Sequence, residues 1–287
     1  MPQKALYLNV PFFFGREGGL TLLLILSAFA IIYFSLKGDI EIVRNGGIPE
    51  EKTARLWKAQ FGASILYTGL YVLIMTIISW DLVMSLSPKW VSTLFGPYFF
   101  TGCLYTAIAA LAVSAGLAFY KTPLGRHVKP EHFHSLGMTL FGFLMVFGDF
   151  FFSQYLLIWY GNKPDETKFL ITRFRFAPWE GISIAAGLLT LLFPFVVLLS
   201  REVKFKPYAL AAVALFIMTG MWLEKYVLIV PSLRHSGGVP LGWLEALVTL
   251  GFLGLMGLCM LIFLRSYPLL PLSDPLLEKS FKELGRK

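Results

Sequence analysis

About seven long runs of uninterrupted apolar residues fill this chain, near residues 12–36, 60–84, 94–120, 135–160, 181–200, 207–230 and 242–264. Each run is close to the about 20 apolar residues that carry a helix across a bilayer. Lipid offers no partner for a free backbone N–H or C=O, so spanning segments are helices or closed barrels. Barrel strands would be about ten residues long with alternating polarity, and these runs are too long and too continuous. The expected fold class is all-α: a polytopic membrane protein of about seven transmembrane helices containing a four-helix bundle. Short connections leave no room for a sizeable soluble domain. The expected organisation is a transmembrane domain over 1–266 and a cytoplasmic tail over 267–287. Composition agrees, with 56% hydrophobic residues and a mean hydropathy of +0.69.

The first run keeps Arg16 and Glu17 near its start. It is longer than the apolar stretch of a cleavable signal, so a retained helix is expected. The net charge of +8 is unevenly spread. One set of connections holds Lys37, Arg44, Lys52, Arg55 and Lys58, then Lys121, Arg126 and Lys129, then Arg201, Lys204 and Lys206, then Arg265 and the basic tail. The alternate set holds Lys4, Arg16, Lys89, Lys163, Lys168, Arg173, Arg175, Lys225 and Arg234. The first is roughly twice as basic, which places it in the cytoplasm, with the N-terminus outside and the C-terminus inside. These charges flank apolar spans, which argues against a nucleic-acid patch. Trp80, Trp90, Trp159, Trp179 and Trp243 fall near the outer boundaries, where indole rings favour the interface.

Several local features follow. Asn45, Gly46 and Gly47 mark a turn. Glu50–Lys58 reads as a short amphipathic helix on the membrane surface. Residues 161–180 read as an outer connection, with Arg173–Phe176 lying on the surface or under a partner. Pro194 should kink the fifth span. Cys103 and Cys259 are isolated and read as packing residues; no C-x-x-C-H haem attachment is present.

The chemistry-bearing residues are few. His127, His132, His134 and His235 all lie in connections or at helix ends, so a bis-histidine haem held within the spans is not expected. His132 and His134 could pass protons near neutral pH; solvated interfacial histidines are the plainer reading. Asp149 lies near the middle of the fourth span, with Ser153 four residues on and Gln154 beside it. An intramembrane carboxyl is costly and marks a functional position, here a proton relay; a neutral acid bonded to a neighbouring helix is the alternative. Glu224 lies some two turns from the outer end of the sixth span. Lys225 follows it; neighbours point differently on a helix, so the two need not pair, and Lys225 can extend to the outer interface. Asp81 ends the second span and Glu245 begins the seventh. These acids could form an outer proton exit, or be solvated interfacial groups.

Several stretches carry a family resemblance: Tyr7–Phe13 (YLNVPFF), Trp80–Trp90 (WDLVMSLSPKW) with Ser92–Gly96 (STLFG), Glu131–Gly137 (EHFHSLG), Phe152–Tyr160 (FSQYLLIWY) with Pro164–Glu166, Met221–Glu224 (MWLE) and Pro268–Pro275 (PLLPLSDP). In this order, over nearly the whole chain, they resemble the F subunit (ActF) of bacterial alternative complex III, a quinol:electron-acceptor oxidoreductase. That family belongs with the NrfD/PsrC-like membrane proteins. The resemblance implies a bacterial inner-membrane subunit that is not itself redox-active and carries no cofactor of its own. Its implied partners are a quinol-binding NrfD-like subunit, an iron–sulfur protein and c-type haem subunits. Asp81, Glu224 and Glu245 match expected acids, and His132 an expected histidine. The chain departs from the family in three ways. The N-terminal few spans are expected to be missing, Asp149 stands where the family has an aromatic, and Lys89 replaces a histidine. The leading expectation is proton relay within a quinol-oxidising respiratory complex. The alternatives are direct quinone binding, with Asp81 or Glu245 taking the hydroxyl proton, a structural scaffold, and a stand-alone transporter, disfavoured because no inverted repeat is evident.

Overall fold

The structure is a computed structural model that describes residues 7, 9–121, 128–233, 241–268 and 270–277, without the side chains of 120 and 121. His127, His235, Lys4, Arg126, Arg234 and the basic residues of the tail lie outside this set. The described secondary structure is entirely helical. Seven stretches are long and apolar enough to cross a membrane: Val10–Asn45, Glu50–Leu86, Phe95–Phe119, Pro130–Gly161, Trp179–Leu199, Pro207–Leu233 and Trp243–Ser266. They coincide with the seven runs read from sequence.

Helix α1 (Val10–Asn45) starts where the Asn9 side chain accepts the Phe12 N–H at 2.8 Å. It ends at Gly46, whose φ of +74° is the left-handed conformation that favours glycine. Its 36 residues measure about 54 Å, well beyond the hydrocarbon core. Helix α2 (Glu50–Ile78) is continuous. Glu50–Lys58 is therefore the first turns of a spanning helix and not a separate surface helix. A π turn (Ser79–Val83) and a 3-10 turn (Met84–Leu86) finish it.

The remaining helices are α3 (Phe95–Lys121), α4 (Pro130–Gly161), α5 (Pro164–Phe174), α6 (Trp179–Gly187), α7 (Phe193–Leu199), α8 (Arg201–Phe205), α9 (Pro207–Leu233) and α10 (Trp243–Ser266). A π turn (Leu188–Leu192) joins α6 to α7 within the fifth span.

Contacts divide the chain into two compact units, Met1–Ile74 with Leu241–Lys287, and Met75–Pro240. In the first, the segment after α10 packs on the end of α1. The Ser273 N–H donates to Asp39 Oδ1 at 2.7 Å, and Ser273 fills the space left by Gly38. The described part of the tail is thus tethered.

The second unit contains the expected four-helix bundle. Helix α9 packs on α3 and α6, α3 packs on α4, and α4 touches α7 and α8. Buried positions recur at helical spacing: Tyr98, Tyr105, Ala109 and Ala112 on α3; Leu140, Leu144 and Phe147 on α4; Leu210, Ala214, Ile217 and Met221 on α9. Gly220 permits the closest approach, since a Cβ there would lie 3.0 Å from the Leu189 backbone carbon.

Proline explains the break in the fifth span. Pro194 has no N–H to give Thr190 four residues back. The chain widens there into the π turn, and the buried Tyr105 hydroxyl donates to the Thr190 carbonyl at 3.0 Å. The kink expected at Pro194 is thus a π turn with a side chain serving the freed carbonyl.

Candidate functional site

The bundle buries a carboxylate. Glu224, on α9, has its side chain 11% exposed. The Tyr98 hydroxyl, at the start of α3, donates a short hydrogen bond to Glu224 Oε1. Lys225 Nζ lies 3.0 Å from Glu224 Oε2, at an angle that makes it an ion pair rather than an aligned hydrogen bond. Successive residues leave a helix in different directions, which is why no pair is expected from sequence. The four-carbon stem of lysine overcomes this by folding back. The ammonium also lies 4.5 Å from the Phe99 ring centroid and 5.5 Å from that of Tyr98, within cation–π range. Gly102 leaves room for it: a Cβ there would be 3.4 Å from Lys225 Nζ and 3.0 Å from Met221 Cε. Lys225 is therefore folded inward and paired.

A second cation closes this end of the bundle. Pro231 lies inside α9 and cannot donate to the Val227 carbonyl four residues back. Arg173 supplies the missing donor. Its Nε donates to Val227 O at 3.0 Å, Nη2 to Leu228 O and Ser232 Oγ at 2.8 Å, and Nη1 to Phe169 O at 3.0 Å. Arg173 is 3% exposed. Residues 164–174 form helix α5, whose inward face buries Phe169 and Arg173. The expected placement of Arg173–Phe176 on the surface or under a partner is therefore corrected at Arg173, which its own chain buries, while Arg175 and Phe176 are exposed. Burial pushes the Arg173 pKa down to about 9, and the guanidinium stays protonated at neutral pH. Trp90 is corrected too: it is 2% exposed, stacked on Phe169 and edge-on to Phe95, and is no interfacial belt residue.

Between these groups lies a cavity of about 280 Å³. Phe147, Phe151 and Leu228 give it an apolar wall, and Tyr98, Glu224, Gln154 and Arg173 supply polar groups. Gln154 is 9% exposed, and its Oε1 accepts no hydrogen bond among the described residues.

Of the seven residues singled out from sequence, Glu224 and Gln154 share this cavity. Asp81 is not solvated; it is 5% exposed within the π turn that ends the second span. Asp149 is exposed on α4 and Ser153 is half-buried. Neither Asp149 nor Ser153 joins the cavity, and no side-chain hydrogen bond or ion pair links them among the described residues. His132 is exposed and its Nδ1 accepts the Lys129 N–H at 3.0 Å, fixing the start of α4. His134 stacks on Phe205 at 4.5 Å. Glu245 belongs to the other unit, where its Oε2 accepts the Gly242 N–H at 3.0 Å and caps α10.

Sequence reasoning misses Tyr98, Arg173 and the inward turn of Lys225. Pro231 is a signal for Arg173: it directly follows the sixth apolar run, and a helix that continues through a proline leaves a carbonyl in need of a donor. No group of three or more metal-ligating side chains occurs among the described residues. No protein-family model matches this chain, and no curated protein is a detectable relative.

Proposed function

We propose that this chain is an integral membrane subunit of a quinol-oxidising respiratory complex, and that protons cross part of it by way of Glu224. The observation that carries this reading is the buried Glu224 carboxylate, held between the Tyr98 hydroxyl and the Lys225 ammonium at the wall of a cavity in the bundle. A charge within a span is costly, and such groups mark ion and proton paths. Here the negative charge has a cation beside it, and the cavity gives a proton somewhere to arrive from. Protonation of Glu224 would release Lys225, and deprotonation would draw it back. The seven apolar helices and the family resemblance support the membrane-subunit part. In this reading electrons stay on the iron–sulfur and c-type haem partners, and quinol is oxidised at the NrfD-like partner.

The test is proton translocation by the purified complex in liposomes, measured beside quinol oxidation. Glu224→Gln keeps the shape and removes the charge. It should lower the protons moved per electron while quinol oxidation persists or slows in step. An unchanged ratio would remove Glu224 from the path.

A second reading has a specific observation in its favour. The same cavity is aromatic-walled with few polar groups, the character of a site for an organic ligand. A quinone ring there would lie near Glu224 and Gln154 rather than the Asp81 or Glu245 expected from sequence. Photolabelling with an azido-quinone separates the two. Label on Phe151, Gln154 or Leu228 would favour direct quinone binding, and label confined to a partner subunit would exclude it.

A further inference from the structure

A second, larger space of about 700 Å³ lies beside the cavity, at the end of the bundle where α5 crosses it. Lys89, Asp165, Lys168, Thr172 and Trp179 are among the residues lining this vestibule. Lys89 pairs with Asp165 at 3.6 Å, with both side chains largely exposed. Among the described residues, only Phe169 and Arg173 line both spaces. Phe169 stacks flat on Trp90, with ring centroids 3.8 Å apart and planes 3° from parallel. The Arg173 guanidinium lies 3.5 Å from the centroid of the same ring. Its four hydrogen bonds run to its own helix and to α9, so the charge is fixed in place. Val227 and Leu228, which receive two of them, follow Glu224 by three and four residues on α9. Arg173 therefore stands about one helical turn from the carboxylate, between it and the vestibule.

We propose that Trp90, Phe169 and Arg173 form a cation-excluding partition between the Glu224 cavity and the vestibule. The rings exclude water by filling the passage. The fixed positive charge repels hydronium and metal cations that would otherwise reach the carboxylate, as a pore-lining arginine excludes cations elsewhere. A relay coupled to redox chemistry requires this, because an open route from the vestibule to Glu224 would let protons leak.

The inference rests on Glu224 as the working group, but access to the cavity is measurable without proton transport. Gly187 lines the cavity, and a Cβ there meets nothing within 4 Å. In a Cys103→Ser, Cys259→Ser background, Gly187→Cys places one thiol inside. The whole protein in lipid nanodiscs is treated with the anionic sulfonatoethyl and the cationic trimethylammonioethyl methanethiosulfonates. Rates are normalised to those with a small free thiol, and modification is followed by mass. The parent should label slowly with both. Adding Phe169→Ala, which leaves the Arg173 hydrogen bonds in place, should raise labelling about tenfold or more, with the anionic reagent faster by about the same factor. Adding Arg173→Met should abolish that preference. Fast labelling of the parent, or no rise with Phe169→Ala, would overturn the partition. Equal normalised rates in Phe169→Ala would overturn the role of the Arg173 charge. Either result leaves the proton measurement on Glu224→Gln to stand or fall separately.

Discussion

Glu224 and Arg173 are charged groups in places that disfavour charge, and different needs hold them there. Glu224 is balanced by Lys225 and by one hydroxyl. Tyr98→Phe keeps the ring, which stacks 5.0 Å from Phe147, and deletes only the donor. It should destabilise the protein by about 1–3 kcal/mol, the usual cost of leaving a buried acceptor unserved. Thermal unfolding in detergent reads this, and an unchanged midpoint would show that water replaces the hydroxyl. Arg173 instead serves the Val227 carbonyl, which Pro231 prevents the helix from serving. Arg173→Met should cost about 3 kcal/mol or more, since the Val227 carbonyl is left unserved and three further bonds to the guanidinium are lost with it. In a Pro231→Ala background the Val227 carbonyl regains a backbone donor, so the same substitution should cost less. A double-mutant cycle measures that coupling, and simple additivity would contradict the account. The charges of both groups were legible in the sequence, but not their partners. Glu224 was singled out because an acid in an apolar run stands out. The alternation of charge and ring over Arg173–Phe176 suits a segment on the surface or under a partner, and only the fold shows α5 turning Arg173 into its own bundle. Lys225 pairs with Glu224 although the two leave the helix in different directions, because the reach of its stem outweighs the direction at Cβ.

Within the bundle the helices lack an amphipathic stripe, and this decided what could be read at the scale of elements. In water a helix shows its buried face as an apolar stripe. In lipid both faces are apolar, so all seven spans were legible from sequence, while the sides that pack were not. What distinguishes the packed side is small residues and served carbonyls. Gly220 faces the Leu189 backbone, whereas Gly69 of α2 faces open space. Gly220→Ala should therefore destabilise by about 1–3 kcal/mol through overpacking. Gly69→Ala should be neutral or stabilising by up to about 1 kcal/mol, through helix propensity alone. Equal effects in unfolding measurements would mean that α9 does not approach the π turn as closely as described. Tyr105 and Pro194 make the same argument at that π turn. Tyr105→Phe removes the donor to Thr190, and Pro194→Ala should restore most of the stability lost by supplying a backbone N–H. The break at Pro194 is legible in the sequence; that Tyr105 arrives from another helix to serve the Thr190 carbonyl is not.

Taken as a whole, the molecule exposes a carboxylate where lipid would not tolerate one. Asp149 lies near the middle of the fourth span, exposed, with no hydrogen bond or ion pair among the described residues. A carboxylate in that position is stable only against water or beneath another protein chain. The proposed assembly supplies such a chain, so the residue tests the assembly and not the relay. Asp149→Leu removes a group that lipid disfavours. The isolated protein should become no less stable and could gain a few kcal/mol, the scale on which a mid-span carboxylate opposes insertion. In the native membrane the same substitution should weaken association, because the partner loses a polar contact. The two halves are measured separately: unfolding of the isolated chain, and the amount of c-type haem and iron–sulfur protein that co-purifies in mild detergent. With the unaltered chain those partners should co-purify and give the haem its reduced-minus-oxidised spectrum. Loss of partners with retained stability would place Asp149 in a subunit interface. A colourless protein purifying alone would remove the respiratory complex from the proposal, and Asp149 would then have to be explained by lipid, water or a second copy of this chain.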